Sequence, residues 1–310
     1  DGRMQALRLH ERGGPDRLVY EEAPLPYLGI GDALVRVGAA SFTPTELEWQ
    51  PTWVDRAGRD RLPVIPFHEV SGMVVELGPG TTGVGIGDPV YGLTDWYRDG
   101  AAAEYVAVEA RNLAPRPATL RDVEAAAAAL AGLTAWQALF VHGGLAAGQT
   151  VLVHGAAGGV GTVAVQLARS AGARVIATGR AGARDVVAEL KVDEFVDLDE
   201  ELFEDAAARA DVVFDLVGGD VLRRSLSAVE PGAVVVSAVE PPPATVRPGV
   251  RAVYFVVEAS RHDLVELGRR IESGQVRPVV GQVFPLARGR EAFEAKAGGG
   301  LRGKAVLQVG

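Results

Sequence analysis

The sequence contains no cysteine among its 310 residues. Disulfide bonds, thiolate nucleophiles and cysteine-ligated zinc or iron–sulfur sites are therefore excluded. Lysine is also scarce, with three residues against 28 arginines, and the net charge is −9. A chain this acidic is not expected to bind nucleic acid or an anionic membrane surface. We see no apolar run approaching the ~20 residues of a membrane span and no signal-peptide pattern, so a cytoplasmic enzyme is expected.

Hydrophobic residues make up 48% of the chain, enough for a substantial core. The first ~120 residues read as short strands between glycine and proline turns, which is typical of a compact β-barrel or sandwich. Clear examples are "ALVRVGAA" (33–40), "SGMVVELGPG" (71–80) and "DPVYGL" (88–93). A helical pattern rich in alanine follows over 122–144.

From Thr150 onwards, apolar strands alternate with helical segments, which predicts a parallel sheet with helices on both faces. The last ~50 residues return to one helix and β-like segments ending in "GKAVLQVG" (303–310), closer in character to the beginning of the chain. We therefore predict an α/β protein with one discontinuous β-rich domain, residues 1–124 and 259–310, interrupted by an α/β domain over 125–258.

The stretch "VLVHGAAGGVGTVAVQLA" (151–168) places three glycines, Gly155, Gly158 and Gly161, between a predicted strand and a predicted helix. Glycine permits a tight turn and a close approach of backbone to ligand, and a helix N-terminus offers free N–H groups to a diphosphate. The βα units that follow favour dinucleotide binding over a turn that merely packs the helix on the strand.

The end of the second α/β strand indicates which dinucleotide is bound. NAD sites usually carry an acidic residue there, whereas this chain reads "ATGRAGARD" with no acid before Asp185. Gly179 removes side-chain bulk, and Arg180 and Arg184 supply positive charge suited to a 2′-phosphate. We therefore predict NADP(H), the alternative being two ordinary surface arginines.

Several motifs together resemble the medium-chain dehydrogenase/reductase superfamily, in its zinc-free branch of zeta-crystallin-like quinone oxidoreductases and enoyl reductases. They are "FHEVSGMVVELGPG", "GDPVYGL", "AAAEYVAV", "AAGGVGTVAVQLA", "DLVGG" and "GKAVLQV". The resemblance covers nearly the whole chain. It implies a GroES-like catalytic domain, a Rossmann domain that binds NADPH, and a homodimer through the edge of the Rossmann sheet, with "AVYFVV" (252–257) as the edge strand.

The resemblance also implies cofactor-binding positions, each of which could instead serve packing alone. They are Thr134 near the nicotinamide or phosphates, the diphosphate loop Gly155, Ala156, Ala157, Gly158, Gly159, Val160 and Gly161, the ribose turn Val217 and Gly218, and the nicotinamide-flanking Ser237, Ala238, Val239, Phe255, Val256 and Val257. The chain departs from many relatives in two places. Thr43-Pro44-Thr45-Glu46 replaces Asn-Pro-x-Asp, and Leu198 stands where a tyrosine often lies near the 2′-phosphate.

"FHEVSG" is similar to the Gly-His-Glu motif of zinc alcohol dehydrogenases. A catalytic zinc needs three protein ligands, and the thiolates used by those enzymes are absent, so no metal is expected and His68 and Glu69 are predicted to hydrogen-bond within the barrel. Trp49, Trp53 and Trp96 could form an apolar wall for a planar substrate or could anchor loops. Thr43 is a candidate for hydrogen bonding to substrate or nicotinamide ribose, and Tyr97 is a candidate proton donor.

These expectations combine into an NADPH-dependent oxidoreductase that transfers hydride to a conjugated carbonyl acceptor, a quinone or an enone or enoyl compound, without metal. The alternatives are a catalytically weak, crystallin-like NADPH-binding protein and an alcohol dehydrogenase, which the lack of zinc ligands disfavours.

Overall fold

The structure is a computed structural model that describes residues 2–310, so Asp1, at the start of the predicted first segment, lies outside it. The strands are β1 Arg3–Leu9, β2 Leu18–Pro24, β3 Asp32–Ser41, β4 Glu69–Leu77, β5 Pro89–Leu93, β6 Tyr105–Glu109, β7 Leu113–Pro115, β8 Thr150–His154, β9 Arg174–Gly179, β10 Glu194–Asp197, β11 Val212–Asp215, β12 Val234–Ser237, β13 Arg251–Tyr254, β14 Val280–Pro285 and β15 Lys304–Gln308. The helices are α1 Gln50–Trp53, α2 Asp122–Trp136, α3 Gly159–Ser170, α4 Arg184–Glu189, α5 Glu204–Ala208, α6 Gly219–Ala228, α7 Arg261–Glu272 and α8 Gly289–Ala297.

The chain divides into two compact units. The first runs to Leu130 and resumes over Ala259–Arg269 and Pro278–Gly310, and the second comprises Ala131–Glu258 and Arg270–Arg277. The predicted division at residue 124 therefore lies too early, and Arg270–Arg277 groups with the second unit instead of the first. The divisions at 130 and 269 fall inside α2 and α7, where no change of composition marks them.

The first unit is built on a mostly antiparallel sheet of seven strands. Its order is β14-β15-β3-β4-β5-β7, with β6 also paired to β3, and β1 and β2 form a separate antiparallel hairpin. The long strand β3 pairs with β4, β6 and β15 along its length. This is the predicted GroES-like β-rich domain, closed by strands from both ends of the chain.

Three phenylalanine rings lie at the centre of one core cluster of the first unit. The ring of Phe42 stacks on Phe67 at 4.4 Å and on Phe293 at 5.0 Å between centroids. Phe67 is fully buried and has a φ of +75°, a left-handed conformation that non-glycine residues rarely adopt. Because the buried Phe67 ring packs on Phe42 and lies parallel to Phe293 at 6.1 Å, the core maintains this conformation and fixes the direction of the residue that follows, His68.

The second unit contains six parallel strands in the order β10-β9-β8-β11-β12-β13. Numbered within the sheet, this is the 3-2-1-4-5-6 order of the Rossmann fold. Leu152, Ile176 and Val213 on the central strands are buried, and Phe203 and Leu222 pack against them from the helical layer. The structure thus confirms the predicted fold class, a Rossmann domain with a GroES-like domain.

One helical segment, Asp122–His142, spans 21 residues with a mean hydropathy of 1.3 in its most apolar window. The sequence analysis expects no run of this length, yet by length and composition alone this segment could cross a membrane. In the structure, 78% of that window is buried inside the protein. A buried core helix has the same composition, so the segment is weak evidence for a membrane span.

Candidate functional site

The predicted dinucleotide loop of the second unit joins β8 to α3. Gly155 has a φ of +77°, and Gly158 precedes the first turn of α3 in an extended conformation. A side chain at Gly161 would place its Cβ 2.2 Å from the Gly155 carbonyl oxygen, so only glycine allows helix and loop to approach this closely. Gly158 and Gly159 are exposed at the start of the helix. This arrangement fits the diphosphate of a dinucleotide.

His154, the last residue of β8, holds the base of this loop. Its Nδ1 lies 2.7 Å from the Thr178 hydroxyl, and its Nε2 lies 2.8 Å from that of Ser225. Ser225 donates its own proton to the carbonyl of Val221, so Nε2 carries the histidine proton and Nδ1 accepts. Burial lowers the pKa of His154 to about 3, and the ring is neutral. His154 is thus a hydrogen-bonded core residue.

The end of β9 differs from the expectation in one respect. Arg180 is exposed, and its guanidinium nitrogen lies 2.5 Å from Oδ1 of Asp199, in the loop after β10. Because β10 runs parallel to β9 with Asp197 opposite Gly179, the residues after both strands emerge side by side. The structure therefore places an acid at the site where the sequence predicts none.

Arg184 and Gly179 also have structural partners here. The Arg184 guanidinium lies 5.0 Å from the centre of the Phe195 ring and 3.8 Å from Oδ2 of Asp197. A Cβ at Gly179 would lie 2.8 Å from Cβ of Ala183, so glycine allows the following turn to pack closely. Two guanidinium groups are thus matched by two carboxylates in this region.

Asp215, at the end of β11, belongs to this candidate site and is absent from the residues predicted from the sequence. It is fully buried, and Oδ1 accepts hydrogen bonds from the amides of Val217 and Gly218 at 3.1 and 3.0 Å. The Ser237 hydroxyl, at the end of β12, donates to Oδ2 at 2.8 Å, and the Val239 amide donates to that hydroxyl oxygen at 3.2 Å. Asp215 thereby joins the predicted ribose turn to one predicted nicotinamide-flanking segment. The sequence does carry a signal for this residue, because an acid ends the apolar run "DVVFD" shortly before two glycines.

The remaining predicted cofactor positions differ in exposure. Thr134 is buried in α2, and Phe255 is buried with its ring 4.7 Å from that of His142. Val256 is 64% exposed and Val239 is 46% exposed. The backbone after β13 is thus anchored by Phe255, while the neighbouring side chains face outwards.

A buried polar cluster lies in the first unit, around His68. Its Nε2 is 3.2 Å from Oε1 of Glu46, and its Nδ1 is 2.5 Å from the Thr94 hydroxyl. The Phe67 amide donates to the same Glu46 oxygen at 3.0 Å. The sequence analysis notes Glu46 only as a departure from the family pattern and does not place it in a site.

The cluster is neutral near pH 7. Burial raises the pKa of Glu46 to about 8 and lowers that of His68 to about 3. Oε1 of Glu46 accepts a hydrogen bond from the Phe67 amide and lies 3.2 Å from Nε2 of His68, whereas Oε2 has no hydrogen-bond partner among residues 2–310. A protonated acid and a neutral imidazole therefore lie side by side in the buried interior of the first unit.

Glu69, the neighbour of His68, points to different partners. Lys304 binds its Oε2 at 2.7 Å, and the Leu130 amide donates to its Oε1 at 3.1 Å. Within the described part of the chain, no group of three histidine, aspartate or glutamate side chains is arranged to hold a metal ion. The residues around His68 therefore do not fit a zinc site, since both ring nitrogens already have protein partners.

The three tryptophans have different roles. Trp49 and Trp96 meet edge to face at 5.4 Å, and Trp96 packs in the same way on the His68 ring at 5.2 Å. Trp53 is only 7% exposed, and its indole N–H donates to the Leu47 carbonyl at 2.9 Å. The burial and hydrogen bond of Trp53 favour the loop-anchoring alternative for this residue over the substrate wall.

The two candidate catalytic residues are half-buried. Thr43 follows β3, and its carbonyl accepts a hydrogen bond from the Glu46 amide at 3.0 Å. Tyr97 lies under the guanidinium of Arg56, at 4.4 Å from the ring centre. It lines a cavity of about 550 Å³ together with Tyr27 and Tyr105. Tyr97 is thus associated with that cavity, whereas its neighbour Trp96 contacts His68.

Comparison with known proteins identifies the family. Residues 29–118 match the alcohol dehydrogenase GroES-like domain, and residues 190–307 match the family described as zinc-binding dehydrogenase. The 2-methylene-furan-3-one reductase of Solanum lycopersicum is 33% identical over 98% of this chain and 79% of its own length. The chloroplastic NADPH-dependent alkenal/one oxidoreductase of Arabidopsis thaliana is 32% identical, with the same coverage.

Solved structures agree. The quinone oxidoreductase from Coxiella burnetii superposes with a TM-score of 0.87 at 29% identity, covering 99% of this chain and 100% of that one. Together with the Rossmann sheet and its glycine loop, these similarities imply a nicotinamide cofactor. The chain belongs to the medium-chain dehydrogenase/reductase superfamily, in its quinone-oxidoreductase-like branch, and is an oxidoreductase.

Proposed function

We propose that this chain is an NADPH-dependent reductase of conjugated carbonyl compounds, quinones or enones, that works without a metal ion. The observation that carries the proposal is the glycine loop between β8 and α3, built to hold a dinucleotide diphosphate. The names of two relatives, an alkenal/one oxidoreductase and a 2-methylene-furan-3-one reductase, favour a conjugated acceptor.

A bound nicotinamide supplies the hydride. The backbone from Gly155 to Gly161 would hold the diphosphate, and Asp215 would fix the turn at Val217 and Gly218 on which the ribose rests. The Arg180 guanidinium is the group suited to a 2′-phosphate.

The absence of a fitting metal site favours a conjugated substrate. An isolated carbonyl needs strong polarisation before it accepts hydride, and the partners of His68 leave no ring nitrogen for a Lewis acid. A conjugated system spreads the developing charge onto a distant oxygen, which a hydrogen bond from a residue such as Thr43 would stabilise. Prolonged dialysis against a strong chelator should leave turnover unchanged. Zinc-specific restoration of lost activity would contradict metal independence.

The decisive experiment uses NADPH deuterated at C4, prepared separately on each face, with a panel of quinones, enones, aldehydes and ketones. An enone should receive deuterium on its β-carbon, and its α-hydrogen should come from solvent. Deuterium on a carbinol carbon would indicate an alcohol dehydrogenase. Tight NADPH binding without turnover of any acceptor would indicate a catalytically weak binding protein.

We also propose that the protein is a cytoplasmic homodimer joined through β13. This strand ends the six-stranded sheet, and the amides of Arg251 and Phe255 donate into β12. Since amides alternate in direction along a strand, those of Ala252 and Tyr254 point to the open edge. Ala252→Pro would remove an outward N–H at an edge position that tolerates proline, and should yield monomers in sedimentation analysis. Unchanged dimers would place the interface elsewhere.

A further inference from the structure

The donors that would bind a 2′-phosphate at the end of β9 are already occupied by a carboxylate. Oδ1 of Asp199 accepts from the Arg180 guanidinium at 2.5 Å, and Oδ2 accepts from the Ala181 amide at 3.3 Å. A guanidinium and a neighbouring backbone N–H are the groups that recognise a phosphate in proteins. The Asp199 carboxylate thus takes the two donors that a 2′-phosphate would need.

The position of Asp199 is fixed by the fold. Its amide donates to Oδ1 of Asp197 at 2.9 Å, and Asp197 is buried at the end of β10. The parallel pairing of β10 with β9 then brings the two strand ends together. The hydrogen bonds from Arg180 and Ala181 lower the pKa of Asp199, so the carboxylate is charged throughout the neutral range.

Charge decides between the two coenzymes at this position. A 2′-phosphate carries about −1.5 to −2 charges near pH 7, as phosphate monoesters do, and must displace or share the donors with Asp199. A ribose 2′-hydroxyl is neutral and can donate to a carboxylate. Asp199 neutralises the charge of Arg180, and Asp197 neutralises that of Arg184, so little net positive charge is left to attract a phosphate.

We propose that Asp199 is a specificity-determining residue that weakens NADP(H) binding relative to NAD(H), so that coenzyme choice depends on the Arg180–Asp199 pair and not on arginine alone. The proposal rests on the proposed function to the extent that the dinucleotide occupies the glycine loop. It predicts an enzyme whose preference for NADPH is limited by its own carboxylate and increases when that charge is removed.

The test is calorimetric titration of the full-length protein with NADP⁺ and NAD⁺, without any acceptor. Asp199→Asn should tighten NADP⁺ binding by about three- to tenfold at low ionic strength and by less at high salt, with little change for NAD⁺. Arg180→Ala should weaken NADP⁺ binding. Glu194→Gln is the matched control, since Glu194 pairs with Arg209 at 3.0 Å at the opposite end of β10 and should change neither affinity.

The outcomes separate this inference from the function on which it rests. If both coenzymes bind and Asp199→Asn leaves NADP⁺ affinity unchanged or weaker, the role of Asp199 is wrong while the coenzyme assignment stands. If Glu194→Gln strengthens NADP⁺ binding equally, only net charge matters and the inference fails. If the unmodified protein binds neither coenzyme, the proposed function and this inference both fail.

Discussion

Oε1 of Glu46 lies 3.2 Å from Nε2 of His68, and both side chains are almost completely buried. Burial raises the pKa of the acid to about 8 and lowers that of the imidazole to about 3. Since the unfolded values are 4.5 for the acid and 6.5 for the imidazole, the stability contributed by the pair is greatest between these two pH values and falls on either side.

The first prediction concerns Glu46→Gln, which replaces the protonated acid with a neutral group of the same shape. The folded protein holds the Glu46 proton up to pH ~8, whereas the unfolded chain releases it near 4.5, so stability falls as pH rises between these values. The slope contributed by Glu46 is at most ~1.4 kcal/mol per pH unit. Urea midpoints measured from pH 5.5 to 8 should show a shallower decline for the variant. Exposed Glu48→Gln is the control, and an unchanged slope in Glu46→Gln would contradict the assignment.

The second prediction concerns acid sensitivity of the second unit. The pKa of His154 is about 3 when folded and about 6.5 when unfolded, so its contribution to stability is present above pH 6.5 and is lost as pH falls towards 3. Between pH 3 and 6.5 the unfolded chain binds a proton at His154 that the folded protein does not. The variant His154→Gln should therefore take up as much as one proton fewer than the original protein when it unfolds in this range. His262→Gln, at an exposed position, is the matched control. Equal proton uptake in all three proteins would show that His154 titrates normally.

The third prediction compares two glycines of the loop. A Cβ at Gly161 would lie 2.2 Å from the Gly155 carbonyl oxygen, whereas a Cβ at Gly159 meets nothing within 4 Å. Gly161→Ala should weaken dinucleotide binding roughly tenfold or more, because the loop must move away from the helix. Gly159→Ala should bind nearly as well as the original protein in fluorescence titrations with NADPH. Equal affinities would mean that the close approach has no bearing on coenzyme binding.

The fourth prediction compares the effects of replacing Trp53 and Trp49 on stability and on substrate binding. Trp53→Ala should cost ~3–5 kcal/mol of unfolding free energy, because it empties part of the core and removes the hydrogen bond to Leu47. Trp49→Ala should cost less stability but raise the KM for a planar acceptor about tenfold, since it removes half of the Trp49–Trp96 wall. Thermal unfolding and steady-state kinetics distinguish them. A Trp49 variant with unaltered KM would exclude this wall from the substrate site.

Much of the fold could be predicted from the sequence because the signals are local. Apolar strands such as β8 and β11 alternate with helices, and the glycines between β8 and α3 mark the loop directly. The short helix α8 was missed, because the part of the tail after its one predicted helix was predicted to hold β-like segments. Its nine residues give too little periodic pattern.

The parts of the site that escaped prediction depend on contacts between distant segments. Asp199 reaches Arg180 only because β10 pairs with β9, and Glu46 meets His68 across 21 residues of intervening chain. The search for an acid near the ribose followed spacing along one strand and could not include its neighbour in the sheet. Burial, which sets the charge of Glu46, is likewise a property of the folded protein.

The pairing of β3 with β15 has a consequence for how the chain is made. Val306 lies opposite Ser41, whose hydroxyl donates to the Ala305 carbonyl 264 positions later. Most of the second unit, Ala131–Glu258, is continuous and can fold while the ribosome is still working. The sheet of the first unit stays incomplete until β15 has been synthesised, and part of the edge of β3 remains uncovered until then. Translation pauses before β15 has emerged should therefore expose β3 to aggregation, and chaperones that shield strand edges should improve the yield of the protein.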